Sequence, residues 1–291
     1  MRYLITHHTE YTFSRPVALE PHLLRFQPRS EGAQFVSTHE IEISPAPSGS
    51  TAHLDAEGNS VNRVWFQGES AQLILEARSM VQTTRTNPFD YLLTDKNASL
   101  PVKYRLELQP ILLAAQRRSR LPTASDPVAT LARQLANQVD QQLTRFLMSL
   151  SQHVRDHWEI IRREEGPPWS PEQTFERKAG ACRDLAWLFV DACRSVGLAA
   201  RFVSGYQADP DEKLRRDLHG WAEVYVPGAG WRGFDPTQGL AVADAHIAVA
   251  ASIDPAGTYP VAGSFRGTGA TSTMTTNIEI ELQTESPEQH P

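Results

Sequence analysis

The chain has 291 residues, 40% hydrophobic and 21% charged, with a formal net charge of −6. That is the composition of a globular protein of one large domain or two modest ones, and its acidic balance excludes a general nucleic-acid binder. No apolar run reaches the roughly 18 residues that span a bilayer, and the opening "MRYLITHHTEYTF" lacks a signal-peptide core, so a cytoplasmic location without a membrane partner is expected.

Residues 1–100 read as strands. Tyr3, Ile5, His7, Thr9, Tyr11 and Phe13 alternate with period two, and "SVNRVWF" and "AQLILEARSMV" are β-prone runs separated by turn chemistry such as "SPAPSGS" and "DAEGNS". An antiparallel sandwich-like β-domain without a chemical motif is expected here. His7, His8, His22 and His39 have no compact ligand spacing, which points to packing or surface roles and to no metal.

The second domain is expected over residues 101–291. "AQRRSRLPTASDP" reads as an exposed, protease-sensitive connection, and "RRSR" and "RREE" as solvated helix faces. Leu131, Leu135, Val139, Leu143, Phe146, Leu147 and Leu150 recur at three and four, which predicts one amphipathic helix, continued or kinked near residues 153–163. Ser170, Pro171 and Gln173 predict a capped short helix ending at Gly180. A longer helix follows in "ERKAGACRDLAWLFVDACRSVGLAARFVSGY", stopped by Gly197. "ARFVSGY", "HGWAEVYV", "WRGFDP" and the tail "NIEIELQ" predict strands. Helices first and antiparallel strands second is an α+β order.

The chain has two cysteines, and eleven residues of helix between Cys182 and Cys193 separate them by about 16 Å, too far for a disulfide. Cys193 sits in the apolar stripe as a small hydrophobe. Cys182 stands at the helix start, where unpaired N–H groups and the helix dipole favour a thiolate, and Gly180 and Ala181 leave room for a substrate. Asp184 beside it reads as a structural residue of a solvated first turn. Downstream, His219 and Asp235 supply candidates for a base and its orienting carboxylate, although a histidine beside an aromatic strand is commonly structural and Asp before Pro a turn former. A tight hairpin at residues 227–230 leaves these two about three residues, or roughly 10 Å, out of register, so a bulge is expected.

The blocks "GACRDLAWLFVDACRSVGLAARFVSGY" and "HGWAEVYVPGAGWRGFDPTQG", with "NPFDYLL", resemble the bacterial transglutaminase-like superfamily, relatives of papain-type thiol enzymes. The opening "YLITHHTEYTFSRPVALEPHLLRFQPR" resembles the β-domain that precedes the core in bacterial members. The resemblance implies that Cys182 is a nucleophile, His219 a general base and acid, and Asp235 the orienting carboxylate, with no cofactor. It implies an enzyme acting on amide bonds of peptide or protein substrates through a thioester, as a protease or amidase; the alternatives are a protein-glutamine transglutaminase and a non-catalytic peptide-binding module. The oxyanion would meet the Cys182 N–H and an indole, with Trp169 or Trp158 as candidates. Trp221 and Trp231 are either groove lining or core. One departure stands after His219, where Gly220 replaces the alanine common in the family and is expected to loosen packing.

Overall fold

The computed structural model describes residues 1–95, 98–118, 125–163, 166–208 and 218–283. Six antiparallel strands open the chain: β1 (Arg2–Leu19), β2 (His22–Leu24), β3 (Gln34–Ser44), β4 (Gly49–Leu54), β5 (Ser60–Trp65) and β6 (Ser70–Thr83). The period of two read in β1 is real, with Tyr3, Ile5, His7 and Thr9 buried and the residues between them partly exposed.

Helices α1 (Gln109–Gln116), α2 (Pro127–Gln138) and α3 (Leu143–His157) follow. The single helix expected through Leu131 and Leu150 is two. Asp140 and Gln141 take left-handed backbone angles, φ 53° and 60°. The break frees backbone groups to bond the preceding loop, Leu100 N–H to the Gln141 carbonyl and Leu143 N–H to that of Ala98. Both helices keep their apolar residues on one buried face, which is why the period survives the break.

Two short strands, β7 (Glu159–Ile160) and β8 (Ala179–Gly180), pair in parallel around α4 (Pro171–Arg177). The predicted Ser170–Gln173 capping box is present. That helix ends at left-handed Lys178, φ 51°, and not at Gly180, which belongs to β8. Then come α5 (Cys182–Ser195), β9 (Ala200–Gln207), β10 (His219–Val226), β11 (Gly230–Asp235), β12 (Leu240–Ala241) and β13 (His246–Ser252). The chain closes with β14 (Val261–Ala262), β15 (Phe265–Arg266) and β16 (Ser272–Leu282).

One sheet, in the order β12-β11-β10-β9-β13, carries α5 on one face, where Leu185, Leu188 and Phe189 meet Phe202, Ala222 and Val224. A second sheet runs β16-β1-β6-β3, with β15 on the end of β1, and a third runs β14-β2-β5-β4. The long β1 serves two cores. Its Phe13, with Leu73 and Leu75 of β6, packs in one cluster with Leu24, Phe26 and Val64, forming the expected sandwich. Its Tyr3 and Ile5, with Val81 and Ile278, pack on Tyr206, Ile247 and Val249 of the first sheet. The architecture is α+β.

Residues 261–282 depart from the expected division. They lie in the sheets of the first unit: β16 pairs with β1 from Tyr3↔Leu282 to Phe13↔Ser272, and β14 pairs with β2. The reason is visible in the pattern, because Ile278 faces the shared core and is 3% exposed. The junction is polar as well. The Gln34 side chain donates to the Ala248 carbonyl (2.9 Å) and accepts from its N–H (2.8 Å), and Asn59 does the same at Ala251 (2.9 and 2.8 Å).

The "RRSR" run is not simply solvated. Arg118 is largely buried and pairs with both Asp126 and Asp191, while residues 119–124 of the expected protease-sensitive connection lie outside the described residues. Among the described residues no helix is long and apolar enough to cross a membrane.

Truncating Ile278 to Ala should lower unfolding free energy by about 2–5 kcal/mol in urea titrations, against within about 0.5 kcal/mol for Glu279→Ala on the exposed face of the same strand.

Candidate active site

Cys182 is the first residue of α5 and is a partly exposed residue lining the cleft described below, whereas Cys193 is fully buried in the same helix; both are free thiols. Ala181 supplies no capping side chain. Asp184 turns back, accepting from Ala181 N–H (2.8 Å), Trp169 N–H (2.8 Å) and Arg163 Nη1 (2.6 and 2.7 Å). It is structural as expected, but it is wholly buried and not part of a solvated turn. Gly180 likewise has a different use from the one read in sequence. A Cβ there would stand 2.8 Å from Asp184 Cβ, so the missing side chain admits the carboxylate and not a substrate.

His219 begins β10 and Asp235 ends β11. The ladder between them runs without a bulge from Val226↔Gly230 to Ala222↔Phe234. Continuing it by one residue sets Asp235 across from Trp221, so His219 is its diagonal neighbour on the same face. Diagonal pairs lie about 7–8 Å apart, within reach of these side chains, and the expected bulge is unnecessary. His219 Nε2 lies 2.7 Å from Asp235 Oδ2. The other ring nitrogen is thereby left for the Cys182 sulfur, which hydrogen-bonds His219 and the Gly220 backbone N–H.

Two residues around Asp235 carry no signal in the sequence reading. Thr237 donates to Oδ1 through its N–H (2.9 Å) and hydroxyl (2.6 Å), and His246 Nε2 lies 3.0 Å from Oδ2. Ser151 of α3 donates to the Asp235 carbonyl (3.0 Å). Thr237 could have been found as an Asp-Pro-Thr turn closing on its own carboxylate. His246 could not, because it lies outside every quoted block and arrives on β13.

The electrostatics follow from this packing. Burial pushes the Asp235 carboxyl up, but the charge and hydrogen bond of His219, then those of His246, outweigh it and hold it well below the usual range. Burial pushes the His219 ring down, yet Asp235 and then Cys182 raise it to about 10. Burial also raises the Cys182 thiol, and the His219 hydrogen bond and charge with the Gly220 N–H reverse that, so its net shift is downward. Burial lowers His246 more than Asp235 raises it, leaving a neutral ring that donates Nε2–H. At Cys193 burial outweighs the opposing charge of Arg194 and pushes the thiol well up. The arrangement favours a thiolate beside an imidazolium, and His219, Asp235 and His246 also bring three metal-competent atoms within 4.8 Å of one another.

The tryptophans separate. Trp221 is 1% exposed and belongs to the core with Val203, Val242 and Ala248, so it does not line a groove. It packs against both the His219 ring (6.2 Å) and the His246 ring (5.3 Å), and Gly205 leaves room for its edge, since a Cβ there would meet Trp221 Cη2 at 2.6 Å. Trp231 lies between Tyr225 and the Arg201 guanidinium. Trp158 spends its indole N–H on the Thr174 carbonyl (2.9 Å) and is buried, which removes it as an oxyanion donor. Trp169 is stacked by Arg163 (4.1 Å) and Arg177 (4.6 Å) and is not among the residues lining the cleft described below. Gly220 does not loosen packing. A Cβ there would meet Phe202 Cζ at 2.9 Å, because the phenylalanine ring fills the space.

Cys182 and His219 open on a cleft of about 480 Å³, bounded on the core side by Gly220, Arg183, Phe202 and Ser204 and on the far side by β1 and β16. Residues 3–82 match the bacterial transglutaminase-like N-terminal region, and residues 129–236 match the core of the transglutaminase-like superfamily. The chain belongs to the transglutaminase-like superfamily. An uncharacterised protein of Mycobacterium leprae is 24% identical over 278 residues, covering 93% of this chain and 95% of its own. A protein-glutamine gamma-glutamyltransferase of Pseudomonas aeruginosa is 27% identical over 135 residues, 43% of this chain and 20% of that one. The crystal structure of a provisionally assigned cysteine protease from Cytophaga hutchinsonii superposes with a TM-score of 0.70 over 100% of this chain and 94% of that one, and at 18% identity it speaks to the fold alone.

Two outcomes are expected. Iodoacetamide should alkylate Cys182 faster than a free thiol near neutral pH, and His219→Ala should move the midpoint of the pH profile up to about 8.5 or above, since the two largest effects that oppose burial are then lost and only the Gly220 N–H remains. The depressed Asp235 carboxyl contributes stability above its unfolded value near pH 3.8, lost as pH falls through the folded value; the raised His219 contributes fully below about 6.5, and this fades as pH rises through about 10. The melting-temperature gap between the wild type and Asp235→Asn should therefore be widest between about pH 4 and 6.5.

Proposed function

We propose that this chain is a thiol enzyme that cleaves amide bonds of peptides or proteins by nucleophilic catalysis. The observation that carries the reading is one continuous line, the Cys182 thiol, the His219 ring and the buried Asp235 carboxylate, with Cys182 and His219 both lining the cleft.

The Cys182 thiolate attacks the amide carbonyl carbon, and the carbonyl π pair moves onto oxygen. The N–H of Cys182, at a helix start whose N-cap residue Ala181 makes no side-chain capping bond, would receive that oxyanion. His219, protonated and held by Asp235, gives its proton to the leaving nitrogen as the C–N bond breaks, leaving a thioester on Cys182. The now neutral His219 takes a proton from water, whose oxygen attacks the thioester carbon and releases the acid and the thiolate. Asp235 stays ionised throughout, fixing the ring through Nε2, and His246 and Thr237 hold Asp235 in place. Histidine and carboxylate provide the proton transfers, and the scheme calls for no metal and no cofactor.

A primary amine in place of water would give transfer instead of hydrolysis. The Pseudomonas aeruginosa relative, named a protein-glutamine gamma-glutamyltransferase, keeps this second reading in view.

Peptide mixtures that include glutamine-containing sequences, incubated with and without a primary amine and read by mass spectrometry, test both. Backbone cleavage or glutamate formation that Cys182→Ala and His219→Ala each reduce by about a thousandfold or more supports the hydrolase. Amine-linked products that displace the hydrolytic ones would assign transfer. No Cys182-dependent product in either arm overturns the proposal in favour of a binding module.

A further inference from the structure

The sequence reading finds no chemistry in the first β-unit, yet part of that unit faces Cys182. Four of the residues that line the cleft from this side stand in two cross-strand pairs. Thr9 of β1 lies opposite Thr276 of β16, and Tyr11 opposite Met274, both in the same antiparallel register and both lining the cleft that holds Cys182 and His219. The lower pair is anchored: Thr9 Oγ1 lies 3.2 Å from His7 Nε2, and His7 Nδ1 lies 3.0 Å from the Tyr206 hydroxyl of β9, so the wall is pinned to the catalytic sheet through a buried histidine. In the upper pair Tyr11 is partly buried against the sandwich core and Met274 is 52% exposed; Tyr259, which also lines the cleft, is 36% exposed. An exposed methionine and tyrosine, continuous with a polar reacting centre, is the composition of a binding surface and not of a solvated strand.

The placement has a cost that only a function of the cleft explains well. The chain ends its catalytic sheet at β13, yet it returns past residues 261–271 to lay β16 along eleven positions of β1. For the buried part of that strand the core at Ile278 is reason enough. For Ser272–Thr275 it is not, because those four residues are exposed. Of these four, Met274 and Thr275 line the cleft.

From this, and resting on the amide-cleaving reading above, we propose that the N-terminal β-unit with its C-terminal strand β16 forms the substrate-recognition wall of the active site, in which Tyr11, Met274 and Tyr259 receive an apolar side chain of the peptide that carries the attacked carbonyl. The core would supply the chemistry and the β-unit the selectivity. At about 480 Å³ the cleft has the volume of a site for a few residues of peptide, not for a single small amide. A flexible thioether opposite a ring tolerates several apolar shapes, so selectivity for class, Leu, Met or Phe over Glu or Lys, is expected in place of selectivity for one residue.

The test uses full-length protein and two kinds of thiol reagent. Iodoacetamide reads the reactivity of Cys182 alone, while peptidyl chloromethyl ketones, identical except for Leu, Phe, Glu or Lys at the residue nearest the reactive group or the one before it, read the wall. The wild type should react about tenfold faster with the apolar peptides, normalised to iodoacetamide. Met274→Glu, at an exposed position that leaves folding intact, should abolish or invert that preference while the iodoacetamide rate stays within twofold; Tyr259→Ala should weaken it by about threefold or more. Equal normalised rates for all four peptides, or a preference that Met274→Glu and Tyr259→Ala both leave intact, would overturn the wall. A slow iodoacetamide reaction with the apolar preference preserved would instead sink the catalytic reading and keep the wall, so the two failures are distinguishable.

Discussion

A carboxylate with no exposed surface is tolerable only when every lone pair is spoken for, and Asp235 meets that condition. Four donors converge on it, two from Thr237, one from His219 and one from His246, and its own carbonyl is held by Ser151. The carboxylate's donors come from three places, the turn after β11, the start of β10 and the start of β13, and the carbonyl's donor from the middle of α3. One buried residue therefore ties the sheet and its returning edge strand together through its charge, and a packing helix through its backbone carbonyl. The charge raises His219, and His219 in turn lowers Cys182, so the reactivity of a sulfur at a helix start is set by an anion in the sheet behind it. This is the sense in which local electrostatics and fold are a single arrangement.

Much of this was legible in the residues, and the limits are physical. Periods of two and of 3.6 marked β1 and α5, and the Ser170 cap marked α4, because each depends on neighbours in sequence. The break at Asp140 and Gln141 was hidden, since residues on both sides of it keep one apolar face. The pairing of His219 with Asp235 was visible as spacing, but the register was misjudged; a diagonal neighbour on one face reaches as far as an opposed one when the side chains are long. Non-local partners were the hardest. His246, and the use of Gly180 to admit Asp184, depend on chain segments that meet only after folding. The same holds for Gly220, where an absent methyl reads as slack until Phe202 is seen filling the space. The tryptophans divide on the same ground: an indole that could serve a groove or a core is assigned only by what surrounds it, and Trp221 is surrounded by core.

Charge is placed in the interior in a consistent way. Arg118 sits between Asp126 and Asp191, Arg163 on Asp184, and Arg201 on Glu223. Replacing either member of such a pair strands the other in a low-dielectric setting, which makes each pair weak as a source of net stability and strong as a constraint on which packing is allowed. The Arg163–Asp184 pair has the most specific task, since the same carboxylate also holds the Trp169 and Ala181 amides and thereby sets the path of the chain into the Cys182 turn.

The paired amides at the junction have a consequence of their own. β13 ends its sheet, and a terminal strand presents backbone groups that another chain can copy. Here the carboxamides of Gln34 and Asn59 occupy those groups at Ala248 and Ala251, each imitating the two-way bond of a neighbouring strand. Seen this way, the first unit acts as a stopper on the second: if it peeled away, the five-stranded sheet would be left with an adhesive margin, and self-association would be the first symptom of its loss.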